Sequence, residues 1–316
     1  MAIRALAGPA AGAALGAVAA RAAYAAFRRR PPLGDEKTAD AYWTRVNHRG
    51  EPVTLLEGPA FVAGATAAAA LAPGLPARAR AAAALAGAGS GILGAYDDVF
   101  GTSSSKGFKG HLAALARGEV TSGAVKIVGI GVTGLAAAAI APRHPGDSGP
   151  VSRAADLLVD GALIAGAANL ANLFDLRPGR AIKAGLMAGV PLLAASVARA
   201  SSPHGADARR AAVLAAIPLG AAAALLPEDL GERAMLGDAG ANALGALLGL
   251  AATGRLGRPA RLAALGAVTA LTAASEKVSF TKVIAGNRVL NRLDLLGRRP
   301  PLSPPQAPAR TAGPAA

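Results

Sequence analysis

The chain is built from long stretches that carry almost no charge, and they recur from one end to the other. They lie near residues 5–27, 54–72, 79–96, 122–141, 154–170, 182–198, 211–226, 239–253 and 262–276. Most approach the roughly 20 residues a helix needs to cross a hydrocarbon core. Several are short or rich in Ala and Gly, and any one alone would also suit a soluble Ala-rich bundle. Repeated along the whole chain, they predict an all-α, polytopic membrane protein with about nine transmembrane helices. Ala and Gly fit that reading, because small residues let helix backbones approach closely in lipid. Charged residues make up only 16% of the chain and the mean hydropathy is +0.39, against roughly 25% charged residues in soluble domains. Residues 1–299 read as one multi-helix domain. The remainder, 300–316, is a Pro/Ala tail expected to be disordered.

Arg28, Arg29 and Arg30 follow the first run. A cleavable signal peptide places its positive charge in front, so this run reads as a helix that stays. Loop charges set the expected orientation. With the N-terminus outside, the inner loops hold 19 of the 33 Lys and Arg residues and the outer segments 10. The bias favours N-out and C-in.

The absence of Cys excludes a disulfide scaffold and a thiolate metal site. A net charge of +14 attracts nucleic acid, anionic lipid or phosphorylated substrates. Nucleic acid is set aside, because 3% aromatics supply no stacking platforms. The remaining partners are the lipid bilayer and phosphorylated molecules.

The expected orientation gathers the unusual polar clusters on the inner side. Asp97 and Asp98 end the third run in GAYDDVFG. Two carboxylates at a helix C-terminus oppose the helix dipole, so stability does not explain them. A solvated acidic cap is the bland reading; a divalent cation or a proton held near a phosphate is the functional one. In NLANLFDLRPGR, Asn169, Asn172 and Asp175 are spaced by three and share one face if the helix continues. Arg177 and Arg180 bracket Pro178-Gly179, which stops any helix. Amide, carboxylate and guanidinium groups at one mouth suit a base, a metal and a pyrophosphate, although a polar loop after a helix stop would look similar. Asp238 opens the eighth run in GDAGANALGALLG, where it is either a simple N-cap or an anion-side ligand.

Together these motifs resemble one membrane family. A DD pair after the third span, N-x-x-N-x-x-D after the fifth and G-D-x-G-[SA] opening the eighth are similar to the polyprenyl-phosphate N-acetylhexosamine-1-phosphate transferases, which include phospho-N-acetylmuramoyl-pentapeptide transferase. The agreement runs from about residue 20 to 295. The resemblance implies Mg²⁺-dependent transfer of a sugar phosphate from a UDP-sugar donor to a polyprenyl phosphate acceptor, releasing UMP. The setting would be cell-envelope glycan synthesis at the inner leaflet of the plasma membrane. It places Asp97 and Asp98 near the lipid phosphate and the metal, makes Asp238, with Asp98, the metal ligand, and puts Asn169, Asn172 and Asp175 around the nucleotide and pyrophosphate. Basic residues in the same loops (Arg49, Lys106, Lys109, Arg177, Arg180, Lys282 and Arg288) would draw in the anionic substrates, two or three of them as direct contacts. Some relatives are dimeric, so a homodimer is a family-level expectation.

The sequence also departs from that pattern. Many members continue the Asn/Asp motif as D-G-x-D-G, whereas here Asp175 is followed by Leu176-Arg177-Pro178-Gly179-Arg180. The His-rich segment expected after the ninth span is replaced by SFTKVIAGNRVLNRLD, and a tenth apolar run is absent. A divergent transferase and an inactive relative serving as a membrane scaffold or carrier are both consistent with these losses. Arg21, Lys126, Asp156 and Asp160 are the few charges inside the runs that a carrier would use.

Overall fold

The computed structural model describes residues 2–35, 38–101, 110, 114, 116–142, 149–202 and 205–300. Twelve helices and one small hairpin are present among these residues: α1 Ala2–Arg29, α2 Ala39–Trp43, β1 Thr44–Val46, β2 Pro52–Thr54, α3 Glu57–Leu71, α4 Ala77–Phe100, α5 Ser122–Ile140, α6 Pro150–Phe174, α7 Arg180–Ala200, α8 Ala206–Leu230, α9 Gly237–Arg255, α10 Arg258–Ser275, α11 Phe280–Gly286 and α12 Arg288–Leu295. The protein is a helical membrane protein. Each of the nine apolar runs overlaps one helix, but among the described residues five helices are long and apolar enough to cross a membrane: α1, α5, α6, α7 and α8. The other four belong to the same bundle on different terms. At 15 residues, for example, α3 is only about 22 Å long. Lys106, Lys109 and the tail from 301 lie outside the described residues.

The bundle is organised around α9, which packs against α6, α4, α8, α3 and α7. Its sequence explains the position. Between Asp238 and Arg255 it carries no charge, and it is apolar or small on every side, the pattern of a helix surrounded by protein. Fifteen of its nineteen residues are buried. Small residues set the distances. A Cβ on Gly245 would lie 2.2 Å from the Ala167 carbonyl oxygen of α6, and one on Gly94 of α4 would lie 2.3 Å from the Asp238 carbonyl oxygen. The α1–α8 crossing repeats the device, with Gly16 against Ile217 and Gly220 against Ala13 at backbone distance.

The β1–β2 hairpin is antiparallel, pairing Thr44 with Thr54 and Val46 with Pro52. Its turn is fixed by the Asn47 Oδ1, which accepts the backbone N–H groups of Arg49 (2.8 Å) and Glu51 (3.0 Å). The loop between α8 and α9 joins this hairpin through a parallel bridge between Thr54 and Ala234. Glu232 in that loop sits at φ +56°, a costly conformation for a residue with a Cβ. Its carboxylate is held there by Arg49 Nε at 2.9 Å and Asn47 Nδ2 at 3.1 Å. Hairpin and loop therefore form one connected unit.

Gly245→Ala is expected to lower the Tm in detergent by an amount equivalent to about 1–3 kcal/mol, because the added methyl meets backbone. Gly266→Ala on α10, where a Cβ meets nothing within 4 Å, should stay within about 0.5 kcal/mol of wild type. Equal losses at the two positions would refute the close-packing account.

Candidate functional site

The first amides of a buried helix have no partner within the helix and must find acceptors elsewhere. At α9, a carboxylate supplies them. Asp98 at the end of α4 accepts the Asp238 N–H on one oxygen at 3.0 Å and the Ala239 N–H on the other at 2.9 Å. Asp175, just past the end of α6, lies close to the Gly237 backbone. Gly237 enters the helix at φ +62°, and a Cβ there would press on the Asp98 carboxylate at 3.0 Å, so glycine serves twice at this position.

That seating brings Asp238 to Lys126. The Lys126 ammonium, in the second turn of α5, bonds the Asp97 carboxylate at 2.6 Å and the Asp238 carboxylate on its other side. All three side chains are largely shielded, with Lys126 at 12% exposure. Both carboxylates depend on this one ammonium, so removing it would leave two buried negative charges uncompensated. Lys126 also lines a cavity of about 390 Å³ between α5, α6 and α10, together with Asn169, Asn172, Thr272, Ser275 and Glu276.

A second cavity, of about 270 Å³, lies under the hairpin and is lined by His48, Asp175, Arg177, Asp229 and Glu232 among others. Burial, with Asp229, Asp238 and Asp98 nearby, holds the Asp175 carboxyl well above the usual carboxylate range; the Gly237 N–H only partly offsets this. His48 is pushed the other way by its partial burial and by Arg177, Arg298 and Arg49, against the pull of Glu232, so its imidazole is neutral at pH 7. Arg177 pairs with no carboxylate among the described residues.

The expected site residues thus separate. Asp97, Asp238, Asn169 and Asn172 gather around Lys126. Asp175 and Arg177 face the hairpin cavity. Asp98, expected at the metal and the chemistry, spends both oxygens on the α9 amides. Arg180, expected on the donor, is buried, and its fork is filled: Nε and one terminal nitrogen hold Asp294 at 2.7 and 3.0 Å, and the other donates to Thr281 at 2.9 Å. Lys282 is exposed on α11. Among the described residues, no group of three or more Asp, Glu or His side chains is placed to hold a metal ion. Lys126 was visible in the sequence as a charge inside an apolar run, but nothing local named its partners.

No protein-family model matches the chain, and no curated protein matches its sequence.

Asp98→Ala should leave two α9 amides without acceptors and cost about 1–2 kcal/mol. Hydrogen exchange of Asp238 and Ala239 is expected to accelerate well before that of mid-helix α9; unchanged protection would remove the capping role. The Arg180–Asp294 clamp carries a pH expectation. Burial pushes the Asp294 carboxyl up, but Arg180, Arg298 and Lys183 more than offset it, leaving it below the ordinary range. A depressed carboxylate contributes stability above its unfolded pKa and loses it as pH falls through the folded one. Protection of amides 288–295, corrected for intrinsic exchange, should hold from pH 7 to about 4.5 and fail only below the ordinary Asp value of about 3.9. Loss near pH 6 would exclude the clamp as its source.

Proposed function

We propose that this protein is a phosphoglycosyl transferase that moves an N-acetylhexosamine phosphate, or a related sugar phosphate, from a UDP-sugar to polyprenyl phosphate. The observation that carries the reading is the convergence of Asp97 and Asp238 on one cationic point beside an Asn169/Asn172-lined cavity. In such a reaction an oxygen of the acceptor phosphate bonds to the sugar-bearing phosphorus. The anhydride bond to UMP breaks, and UMP leaves with the electron pair. Several negative charges meet, so the site needs positive charge and positioning more than a strong base.

The donor set suits Mg²⁺: two carboxylates directed at one point, with space for phosphates and water, is how that ion is commonly held. Asp97 and Asp238 would hold it, and when bound it would neutralise phosphate charge. Asp98 acts through Asp238 as a positioning residue. Lys126 supplies a cation to the same space. Asn169 and Asn172 offer amide donors to phosphate oxygens, and Arg177, with His48 and Asp175, lines the cavity suited to the donor's nucleotide end. We place nine crossings in the membrane with the N-terminus outside, which puts both cavities on the cytoplasmic side of the plasma membrane. The excess of Lys and Arg in the inner loops supports this orientation.

A second reading, an inactive relative acting as scaffold or carrier, is favoured by one observation: Lys126 already satisfies both carboxylates without any ligand. A membrane assay with UDP-N-acetylhexosamines, polyprenyl phosphate and Mg²⁺ separates the two. The transferase reading expects UMP and a lipid-linked product, abolished in Asp238→Asn while the protein stays folded and inserted. It also expects Arg177→Lys to raise the donor KM on the order of tenfold, since Lys keeps charge but loses the fork. No UMP from any UDP-sugar would leave the scaffold reading standing.

A further inference from the structure

The last helix, α12, is turned inside out by the standards of a water-soluble protein. Asn287 caps its start, with Oδ1 accepting the Val289 and Leu290 N–H groups at 3.0 and 3.1 Å. Polar links then tie the helix to α7. The buried Asp294 is held by the Arg180 fork and by Arg298 at 2.9 Å. Lys183 Nζ donates to the Leu293 and Asp294 carbonyl oxygens at 3.1 and 2.6 Å. An amphipathic helix ordinarily buries its apolar stripe and leaves its charges outside. Here the protein holds the polar side. Val289, Leu293 and Leu296, spaced by four and three, share the opposite face, and Val289 is 66% and Leu296 68% exposed.

That face continues a larger apolar surface. Leu290 and Leu293 line a cavity of about 560 Å³ together with Ile284 of α11, Val268 and Leu271 of α10 and Met187 of α7. Within α10 only Arg261 is buried. Its closing turns reach the Lys126 end of the bundle, where Thr272 and Ser275 line the Lys126 cavity. With eight residues, α12 is about 12 Å long, against a hydrocarbon core of about 30 Å. A membrane can therefore cover this face only if the helix lies along its surface.

The charges say what covers it. Arg288 and Arg292, four apart, run along one edge of the apolar stripe, and Lys282 precedes them on α11. All three are exposed, and none forms an ion pair among the described residues. From Lys277 to Pro300 the sole acidic residue is Asp294, which is buried. The outward side is thus apolar with a wholly positive border. A second copy of this chain would bring the same positive charge against it, and the chain beyond 300 offers Leu302 as its one large apolar residue and adds Arg310. An anionic lipid surface complements both features.

We propose that α11 and α12 form an interfacial surface that takes anionic phospholipid. The apolar face rests on acyl chains of the leaflet at the Lys126 end, and Lys282, Arg288 and Arg292 engage the phosphate-bearing headgroups. The proposal rests on the helical membrane fold and is independent of the transferase reading.

The chain has no Cys, so Val289→Cys and Leu296→Cys can each carry a single spin label in the full-length protein. The nanodiscs are phosphatidylcholine with or without phosphatidylglycerol. Both labels should be reached by oxygen and shielded from a water-soluble nickel complex. Native mass spectrometry should show phosphatidylglycerol retained in preference to phosphatidylcholine. Arg288→Gln and Arg292→Gln, tested singly, should each reduce that preference about fivefold, with the Tm unchanged because both side chains are exposed and unpaired. Should one variant fail to fold, the other carries the comparison. Labels open to the nickel complex would show that water covers the face and would overturn the proposal. Spin–spin coupling between labels on two copies would reassign the face to a homodimer contact. Retention indifferent to headgroup charge, or unchanged in the folded variants, would overturn it equally.

Discussion

The protein depends on how the buried start of α9 is satisfied. Amides left without acceptors in an apolar interior each cost on the order of 1–3 kcal/mol, and the helix in question is the one the bundle packs around. Asp98 supplies the acceptors for Asp238 and Ala239 from the end of α4. The same contacts fix the height at which Asp238 meets Lys126 and Asp97. Support and site are therefore one construction: moving the capping carboxylate would displace the ion cluster with it.

This construction also explains why the Asp97-Asp98 pair divides its work. Consecutive helix residues point about 100° apart, so two adjacent carboxylates do not naturally address the same ion. Asp97 turns to α5 and Asp98 to α9. Adjacency in sequence suggested a shared metal task, whereas helix geometry assigns one residue to the cluster and the other to holding it. The Asn169, Asn172 and Asp175 series divides for a related reason. The first two lie within α6 and line one cavity, but the helix ends at Phe174. Asp175 leaves the shared face at φ −79° and ψ 47° and lies close to Gly237 instead.

What was legible in the sequence was whatever is encoded locally. Apolar runs mark the long helices because period and composition are properties of neighbours, and the polar clusters mark the end where Asp97, Asn172 and Asp238 gather. Pairings across 29 to 114 residues carry no local signal. Lys126 with Asp97 and Asp238, and Arg180 with Asp294, are of that kind. Arg180 shows the limit clearly. Pro178-Gly179 does turn the chain, with Gly179 at φ +69°, but the turn delivers the guanidinium to the C-terminal helices rather than to a cavity. The charges of Asp156 and Asp160 were likewise visible one by one, and only the fold shows that both meet Arg261.

The Lys126 cluster has a consequence for any ligand that uses Asp97 and Asp238. In the structure both carboxylates face one ammonium on a flexible stem, not a fixed guanidinium. A divalent cation competing for the same oxygens would meet like-charge repulsion from Lys126, so the ion and the ammonium cannot both be stable there without further negative charge. Under the proposed transferase reading, the substrate phosphates are that charge. Lys126 can swing from carboxylate to phosphate because its point charge, unlike an Arg fork, makes no demand on geometry. Cation binding and phosphate binding then favour one another through a single side chain. An arginine at 126 would hold the two carboxylates just as firmly but would not let them go.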